Sequence, residues 1–297
     1  MRSLSLRRLL VLLLLSLAAP SVGFRTDGQQ NASTLVIGDT FTIDSTNLRE
    51  TRRINVYLPP GYSQTRDGRV PVLYMPDGGI AEDFLHLAGL VQVLVANGTM
   101  KPFLLVGIEN TERRRDLTGP TQNEQDKKIA PRVGGSEAFR RFIRDELMPQ
   151  VKARYRTTDE AAIIGESLAG LFVVETFLIE PALFDAYLAI DPSLWWNNQD
   201  LVNTAAQRLL SRPKTKSTLY LASSDEKRNA EIIRRFAAVV RKNALSRIDL
   251  YYEPMSNEKH STIFHPAALN AFRKVFDPHR SEVKDKPRTR VRRRQSA

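Results

Sequence analysis

The fold is decided by one stretch, Ala161-Ala162-Ile163-Ile164-Gly165-Glu166-Ser167-Leu168-Ala169-Gly170-Leu171-Phe172-Val173-Val174. Its first four residues form a short apolar run of the kind that makes a buried strand. Leu171 to Val174 then open an apolar helix. The turn between them is so tight that the residues two before and two after Ser167 must be small, and Gly165 and Ala169 meet that requirement. Ala169 stands where glycine is more usual and keeps the steric condition. A strand–turn–helix of this form lifts the serine hydroxyl above the sheet edge and sets it at a helix N-terminus, where backbone N–H groups can hold a developing oxyanion. Ser167 is therefore the candidate nucleophile, and the Leu168 N–H a candidate oxyanion donor.

Working outward, short apolar runs alternate with amphipathic segments. Val70–Met75, Phe103–Ile108, Tyr187–Ile190, Thr218–Ala222 and Ile248–Tyr252 read as further strands. Helices are expected near 82–97, 200–211, 228–243 and 266–276, and over Leu168–Ile179. Glu137–Tyr155 is a strong helix, with Phe139, Phe142, Ile143, Leu147, Val151 and Tyr155 near helical spacing. Such alternation implies an α/β fold: a largely parallel central sheet with helices on both faces. Ahead of it, Thr40–Asp44 and Arg52–Leu58 alternate apolar and polar residues, as an N-terminal antiparallel hairpin at the sheet edge would. Residues 109–136 form a long polar loop, of the kind that is usually functional or mobile.

A serine hydroxyl needs a base. The chain has four histidines, His86, His260, His265 and His279. The order nucleophile, acid, histidine selects His260, in the polar loop after Ile248–Tyr252; His265, before Pro266, reads as a capping or surface residue. The acid is expected after Thr218–Ala222, where Asp225 leads, Glu226 follows closely, and Glu258, two residues from His260, is a third candidate. A second oxyanion donor is expected in the turn Pro76-Asp77-Gly78-Gly79-Ile80, from Gly79 or, instead, Gly78 or Ile80. Arg113, within the run Arg113-Arg114-Arg115, either pairs with an anionic substrate or sits on a solvated loop. Trp195 and Trp196 either wall an aromatic or acyl pocket or pack a crossover loop onto the core.

The net charge of +11 on 297 residues is concentrated at the ends. Residues 280–297 hold eight basic and two acidic side chains, and Arg2, Arg7 and Arg8 lie at the start, so the body is close to neutral. That argues against nucleic acid as a partner, which would want basic charge clustered on the domain. The tail 280–297 reads as basic and disordered. With no cysteine, disulfides, thiolate metal sites and a cysteine nucleophile are excluded. Arg2, Arg7 and Arg8, the apolar run Leu9–Leu17 and the small residues after it read as a signal peptide over 1–23. The run is short for a membrane span, so no stable span is expected after cleavage, and the protein is expected to be periplasmic or secreted. A flexible lead-in covers 24–34, and one domain covers 35–279.

The blocks VPVLYMPDGG, GSEAFRRFIRDELMPQVKARY, GESLAGLF and DPSLWW, followed by a histidine loop, resemble the esterase D-like family, which carries the name "Putative esterase", and within it the enterobactin and bacillibactin (siderophore) esterase branch. The resemblance runs over roughly residues 35–277. It implies an α/β-hydrolase fold and hydrolysis of a small-molecule ester through Ser167 and His260, by way of an acyl-enzyme, with no metal or organic cofactor. Acyl transfer with the same residues, and a non-catalytic binding protein on the same fold, are the alternatives. Oligomeric state is not legible in the sequence.

Overall fold

The computed structural model describes residues 33–64, 67–211, 213, 215–243 and 247–279. The expected signal peptide, most of the lead-in and the basic tail lie outside the described residues. The chain divides into two compact units, Met1–Val36 and Ile37–Ala297. Of the first, only residues 33–36 are described, and they carry no regular secondary structure. All the elements below belong to the second.

Eight strands make one sheet: β1 (Gly38–Ser45), β2 (Glu50–Tyr57), β3 (Val70–Pro76), β4 (Leu104–Ile108), β5 (Thr157–Glu166), β6 (Ala186–Ile190), β7 (Ser217–Ser223) and β8 (Ile248–Pro254). Their order is β1-β2-β4-β3-β5-β6-β7-β8. β1 pairs antiparallel with β2, and β2 antiparallel with β4; every other neighbour is parallel. This is the expected parallel sheet with an antiparallel edge hairpin. β4, β6 and β7 are buried throughout, and these central strands need helices on both faces. The edge strands β1 and β8 expose residues along much of their length.

The helices are α1 (Phe84–Ala96), two single turns α2 (Arg113–Asp116) and α3 (Glu124–Lys127), then α4 (Ser136–Arg141), α5 (Met148–Arg154), α6 (Leu168–Ile179), α7 (Trp196–Leu210), α8 (Lys227–Asn243) and α9 (Phe264–Val275). Side-chain alternation along each strand splits the core into two layers. In β5, Ile163 packs with α4 to α8 on one face, while Ala162 and Ile164 pack with α1 and α9 on the other. In β7, Leu219 and Leu221 face the first layer, Tyr220 and Ala222 the second.

Three elements differ from the sequence reading, and a fourth, α7, keeps its expected start near residue 200 behind an irregular entry. The helix expected over Glu137–Tyr155 is α4 and α5 joined through a π turn at Phe142–Leu147, immediately before Pro149, which has no N–H to return to the Asp145 carbonyl. β5 begins at Thr157, earlier than its apolar run, because Thr157 pairs with Val70 at the sheet margin. α7 begins at Trp196, but Asn197, Asn198 and Gln199 have left-handed backbones (φ 47°, 54° and 65°), so its regular part starts at Asp200. The 109–136 loop carries α2 and α3, the second capped by the Asn123 side chain on the Gln125 N–H at 2.9 Å.

Candidate active site

β5 delivers Ser167 through a backbone that few residues adopt, φ 59° and ψ −118°. The strain is held from several sides. The Ser167 N–H donates to the Ile190 carbonyl at 3.1 Å, and its own carbonyl accepts from the N–H groups of Leu171 and Ser193 at 2.9 and 3.0 Å. The small flanks are required: a Cβ on Gly165 would lie 2.6 Å from the Ala169 carbonyl carbon. Ser167 Oγ lies 3.4 Å from Ser193 Oγ, where either can donate. Leu168 is the first residue of α6, so its N–H has no carbonyl of a preceding turn to meet.

His260 stands in the loop between β8 and α9, with its side chain half exposed. Its Nδ1 lies 2.7 Å from Asp191 Oδ2. Asp191 follows β6 directly, in a left-handed backbone (φ 42°), and is 1% exposed. Oδ1 accepts from the Ser224 N–H at 3.1 Å and from Asn229 Nδ2 at 3.2 Å; Oδ2 also accepts from Ser224 Oγ at 2.7 Å. Burial pushes the Asp191 carboxyl up, but the hydrogen bonds from His260 and Ser224 outweigh it and hold the group below its ordinary range. The hydrogen bond to Asp191 raises His260 above its ordinary value against the effect of burial, and the nearby Glu166 carboxylate adds to the rise. Among the described residues, His260 and Ser167 Oγ make no hydrogen bond to each other; such contacts often tighten only when substrate is bound.

The acid beside His260 is thus Asp191, which corrects the expectation of Asp225, Glu226 or Glu258. Asp225 and Glu226 are exposed. The Asp225 N–H is tied to the Glu258 carbonyl at 2.8 Å, and Glu226 Oε2 accepts from the Asn229 N–H at 2.7 Å, at the start of α8. Glu258 accepts instead from Thr262 Oγ1 at 2.7 Å. The residue after β7 that does reach the site is Ser224, and it braces Asp191.

Turn 76–80 also assigns its glycines unequally. The Gly78 N–H donates to the Ile108 carbonyl at 3.0 Å, so Gly78 is not an oxyanion donor. Its glycine is required because a Cβ there would sit 2.2 Å from Gly107 Cα. Asn55 Nδ2 holds the Gly78 carbonyl at 2.9 Å. The Gly79 N–H faces Glu82, whose Oε2 accepts it at 2.7 Å.

Arg113 lies near Glu166 and His260, but its guanidinium is clamped by Asp77, with Nε to Oδ1 at 2.6 Å and Nη2 to Oδ2 at 2.8 Å. The Asp77 clamp fixes the orientation of the guanidinium through Nε and Nη2. Trp196 is 4% exposed and gives its Nε1–H to the Gly119 carbonyl at 2.9 Å, so it packs the crossover rather than walling a pocket. Trp195 is half-buried and lines a cavity of about 590 Å³ together with Asn198, Glu226, Asn229 and Ile232. Glu166, beside Ser167, has a carboxyl pushed up to about 7, chiefly by burial, with Asp83, Asp191 and Asp77 adding and His260 opposing.

This geometry, a strained serine at a helix N-terminus and a carboxylate-bound histidine at the same sheet edge, agrees with the comparisons with known proteins. The family model described as "Putative esterase" matches residues 45–260. The chain belongs to that family. This esterase-family chain is 31% identical over 177 residues to the ferri-bacillibactin esterase BesA of Bacillus subtilis, covering 53% of its own length and 61% of the relative. It is 33% identical over 160 residues to the siderophore triacetylfusarinine C esterase of Aspergillus fumigatus, covering 48% and 50%. The matches therefore span between half and two thirds of these relatives. Among solved structures, an IroE-like serine hydrolase from Shewanella oneidensis is 28% identical with a TM-score of 0.72 over 80% of both chains. The sheet order and these structural likenesses make the fold that of the α/β-hydrolase esterases.

Asp191, Ser193, Ser224, Asn229, Asn55 and Glu82 are the residues of this esterase-family site that sequence reasoning did not single out. For Asp191 a signal existed: it directly follows a buried strand and precedes Pro192, just as Ser167 directly follows β5. The others are recognisable only from their partners.

Proposed function

We propose that this chain is a serine-dependent carboxylic ester hydrolase in which Ser167 attacks, His260 is general base and Asp191 orients the histidine. His260 takes the Ser167 proton as Oγ adds to the ester carbonyl. The carbonyl oxygen becomes an oxyanion held by the N–H groups of Leu168 and Gly79. His260 returns the proton to the departing alcohol, and water then cleaves the acyl-enzyme by the same route in reverse. The protein groups suffice for every step, and no metal or cofactor enters it.

The observation that carries this reading is the 2.7 Å contact between His260 Nδ1 and the buried Asp191 carboxylate. Nothing in a structural role requires a half-exposed histidine to be held by a buried, four-times hydrogen-bonded acid. Such an acid fixes the tautomer that leaves Nε2 free as a base and stabilises the cation formed during attack. For the substrate we infer a siderophore ester, supported by the likeness to the ferri-bacillibactin and triacetylfusarinine C esterases. The N-terminal pattern of residues 1–23 supports export to the periplasm or medium.

The test is hydrolysis of p-nitrophenyl acetate and butyrate by the purified protein beside Ser167→Ala, followed by ferric and iron-free siderophore esters. Activity in the parent and none in the variant is expected. Equal activity in both would remove Ser167 and the mechanism with it.

A further inference from the structure

The Gly79 N–H, one of the two donors assigned above to the oxyanion, already has an anion on it. Asn55 holds the Gly78 carbonyl at 2.9 Å, and a trans peptide then sends the Gly79 N–H the opposite way. There Glu82 Oε2 accepts it at 2.7 Å. The other carboxylate oxygen, Oε1, accepts from Asn110 Nδ2 at 2.8 Å, and Asn110 also donates to Asp77 Oδ1 at 2.6 Å. Asp77 in turn is clamped by Arg113.

One structural explanation is that Glu82 braces its own turn, its side chain returning to an N–H three residues earlier as in a capping box. The turn has other supports, however. Gly78 donates to the Ile108 carbonyl at 3.0 Å, Glu82 N–H to the Gly79 carbonyl at 3.0 Å, and Asp83 N–H to the Asp77 carbonyl at 3.1 Å. The local field also disfavours another negative charge. Glu166 and Asp83 are both raised, chiefly by burial; neighbouring carboxylates add, with Asp77 acting on both and Glu82 on Asp83, against the opposing charges of His260 on Glu166 and Arg113 on Asp83. An oxyanion could not form on Gly79 while Glu82 stayed there, because one N–H would face two anions.

We propose that Glu82 is a displaceable occupant of the oxyanion hole: its carboxylate fills the hole before substrate arrives and swings off the Gly79 N–H to admit the ester carbonyl. The proposal rests on the reading of Ser167 as nucleophile and Gly79 as donor. As Ser167 Oγ bonds to the carbonyl carbon, the C=O π pair moves to oxygen, the Ser167 proton goes to His260, and the new oxyanion takes the N–H that Glu82 has left. The Glu82 carboxylate keeps its charge and its Asn110 contact. Glu82 is thus a positioning residue that keeps the donor aligned while slowing entry to it.

The experiment compares the full-length protein with Glu82→Gln, Glu82→Ala and Ser167→Ala, by p-nitrophenyl butyrate hydrolysis, inhibition by phenylboronic acid, which forms a tetrahedral anionic adduct on serine, and thermal melts. Displacing a hydrogen bond to a charged group corresponds to about tenfold in an equilibrium. Glu82→Ala should therefore raise kcat/KM about tenfold and tighten phenylboronate inhibition by a similar factor, even if its melt is lower. Glu82→Gln, which keeps an acceptor for Gly79 without the charge, should fall between it and the parent. A folded Glu82→Ala with kcat/KM at or below the parent and phenylboronate binding no tighter overturns the proposal. If Glu82→Ala does not fold, Glu82→Gln decides: a brace keeps parental kinetics, a displaced occupant gives faster ones. Ser167→Ala separates the two levels. Hydrolysis surviving there defeats the parent reading, whereas hydrolysis lost there with no gain in either Glu82 variant defeats only the role of Glu82.

Discussion

Replacing Asp191 by asparagine changes one oxygen to an amide nitrogen, and the surrounding donors dictate which one. Oδ1 faces the Ser224 backbone N–H at 3.1 Å, a donor that cannot reverse, and Asn229 Nδ2 at 3.2 Å. The amide oxygen of Asp191→Asn must take that side. Its NH₂ then faces His260 Nδ1 and Ser224 Oγ, the partners of Oδ2 at 2.7 Å each. Ser224 Oγ can turn its hydrogen away and accept. His260 Nδ1 can accept only by moving its proton to Nε2, the nitrogen that has to receive the Ser167 proton. The variant therefore folds and keeps the histidine in place but in the wrong tautomer, an error that costs about 10⁴-fold in kcat, or about 5 kcal/mol of transition-state stabilisation. Asp225→Asn and Glu226→Gln, both exposed, should stay within about twofold of the parent. The assay is p-nitrophenyl butyrate hydrolysis at neutral pH, with circular dichroism to confirm the fold. A folded Asp191→Asn retaining a tenth or more of the parental kcat, or a collapse of activity in Asp225→Asn, would refute the reasoning.

Four further outcomes follow from the same geometry. Because Asp191 and Glu166 raise His260, and only the neutral imidazole acts as base, activity should rise with pH through a midpoint above 6.5; Glu166→Gln should move that limb to lower pH in a kcat/KM profile. Glu166 is raised from 4.5 to about 7 on folding, so the folded state binds more protons than the unfolded one between those values and stability falls as pH rises through them; the stability gained by Glu166→Gln in urea melts should grow over the same interval and be absent below it. Gly165→Ala puts a Cβ 2.6 Å from the Ala169 carbonyl carbon and 2.7 Å from its Cβ, and should cost about 1–3 kcal/mol in a denaturant melt, with activity falling further as the elbow shifts. Trp196→Ala should lose about 3–5 kcal/mol of stability, whereas Trp195→Ala, half-buried on its cavity, should lose much less and raise KM for bulky esters relative to acetate.

The sheet was legible because its information is local. β3, β4, β6 and β7 are short apolar runs that must be buried on both faces, and α6 begins and ends where Leu168–Ile179 reads as apolar helix. The elbow was legible because a steric rule ties Gly165 and Ala169 to Ser167 within five residues. The acid was not, since a carboxylate at the end of β6 and one at the end of β7 look alike along the chain. What distinguishes Asp191 is the set of donors that converge on it from Ser224, Asn229 and His260, which lie 33, 38 and 69 residues away. The roles of Gly78 and Gly79 were inseparable for the same reason: one N–H is consumed by Ile108 across the sheet, the other by Glu82. The three left-handed residues after Trp196 carry no helix-breaking glycine or proline; long-range contacts mark the place, among them the Asn197 N–H to Asp126 Oδ2 at 2.7 Å, the Gln122 N–H to Asn197 Oδ1 at 2.9 Å and Asn123 Nδ2 to Asn198 Oδ1 at 3.0 Å.

The central claim is that Ser167 forms a covalent acyl-enzyme. The most direct measurement is mass spectrometry of the protein quenched in acid during turnover of p-nitrophenyl butyrate, with peptide mapping of the adduct. The account predicts a butyryl group on the peptide containing Ser167, absent in Ser167→Ala, which should also be inactive. A butyryl group on another residue, or an active Ser167→Ala, would contradict it.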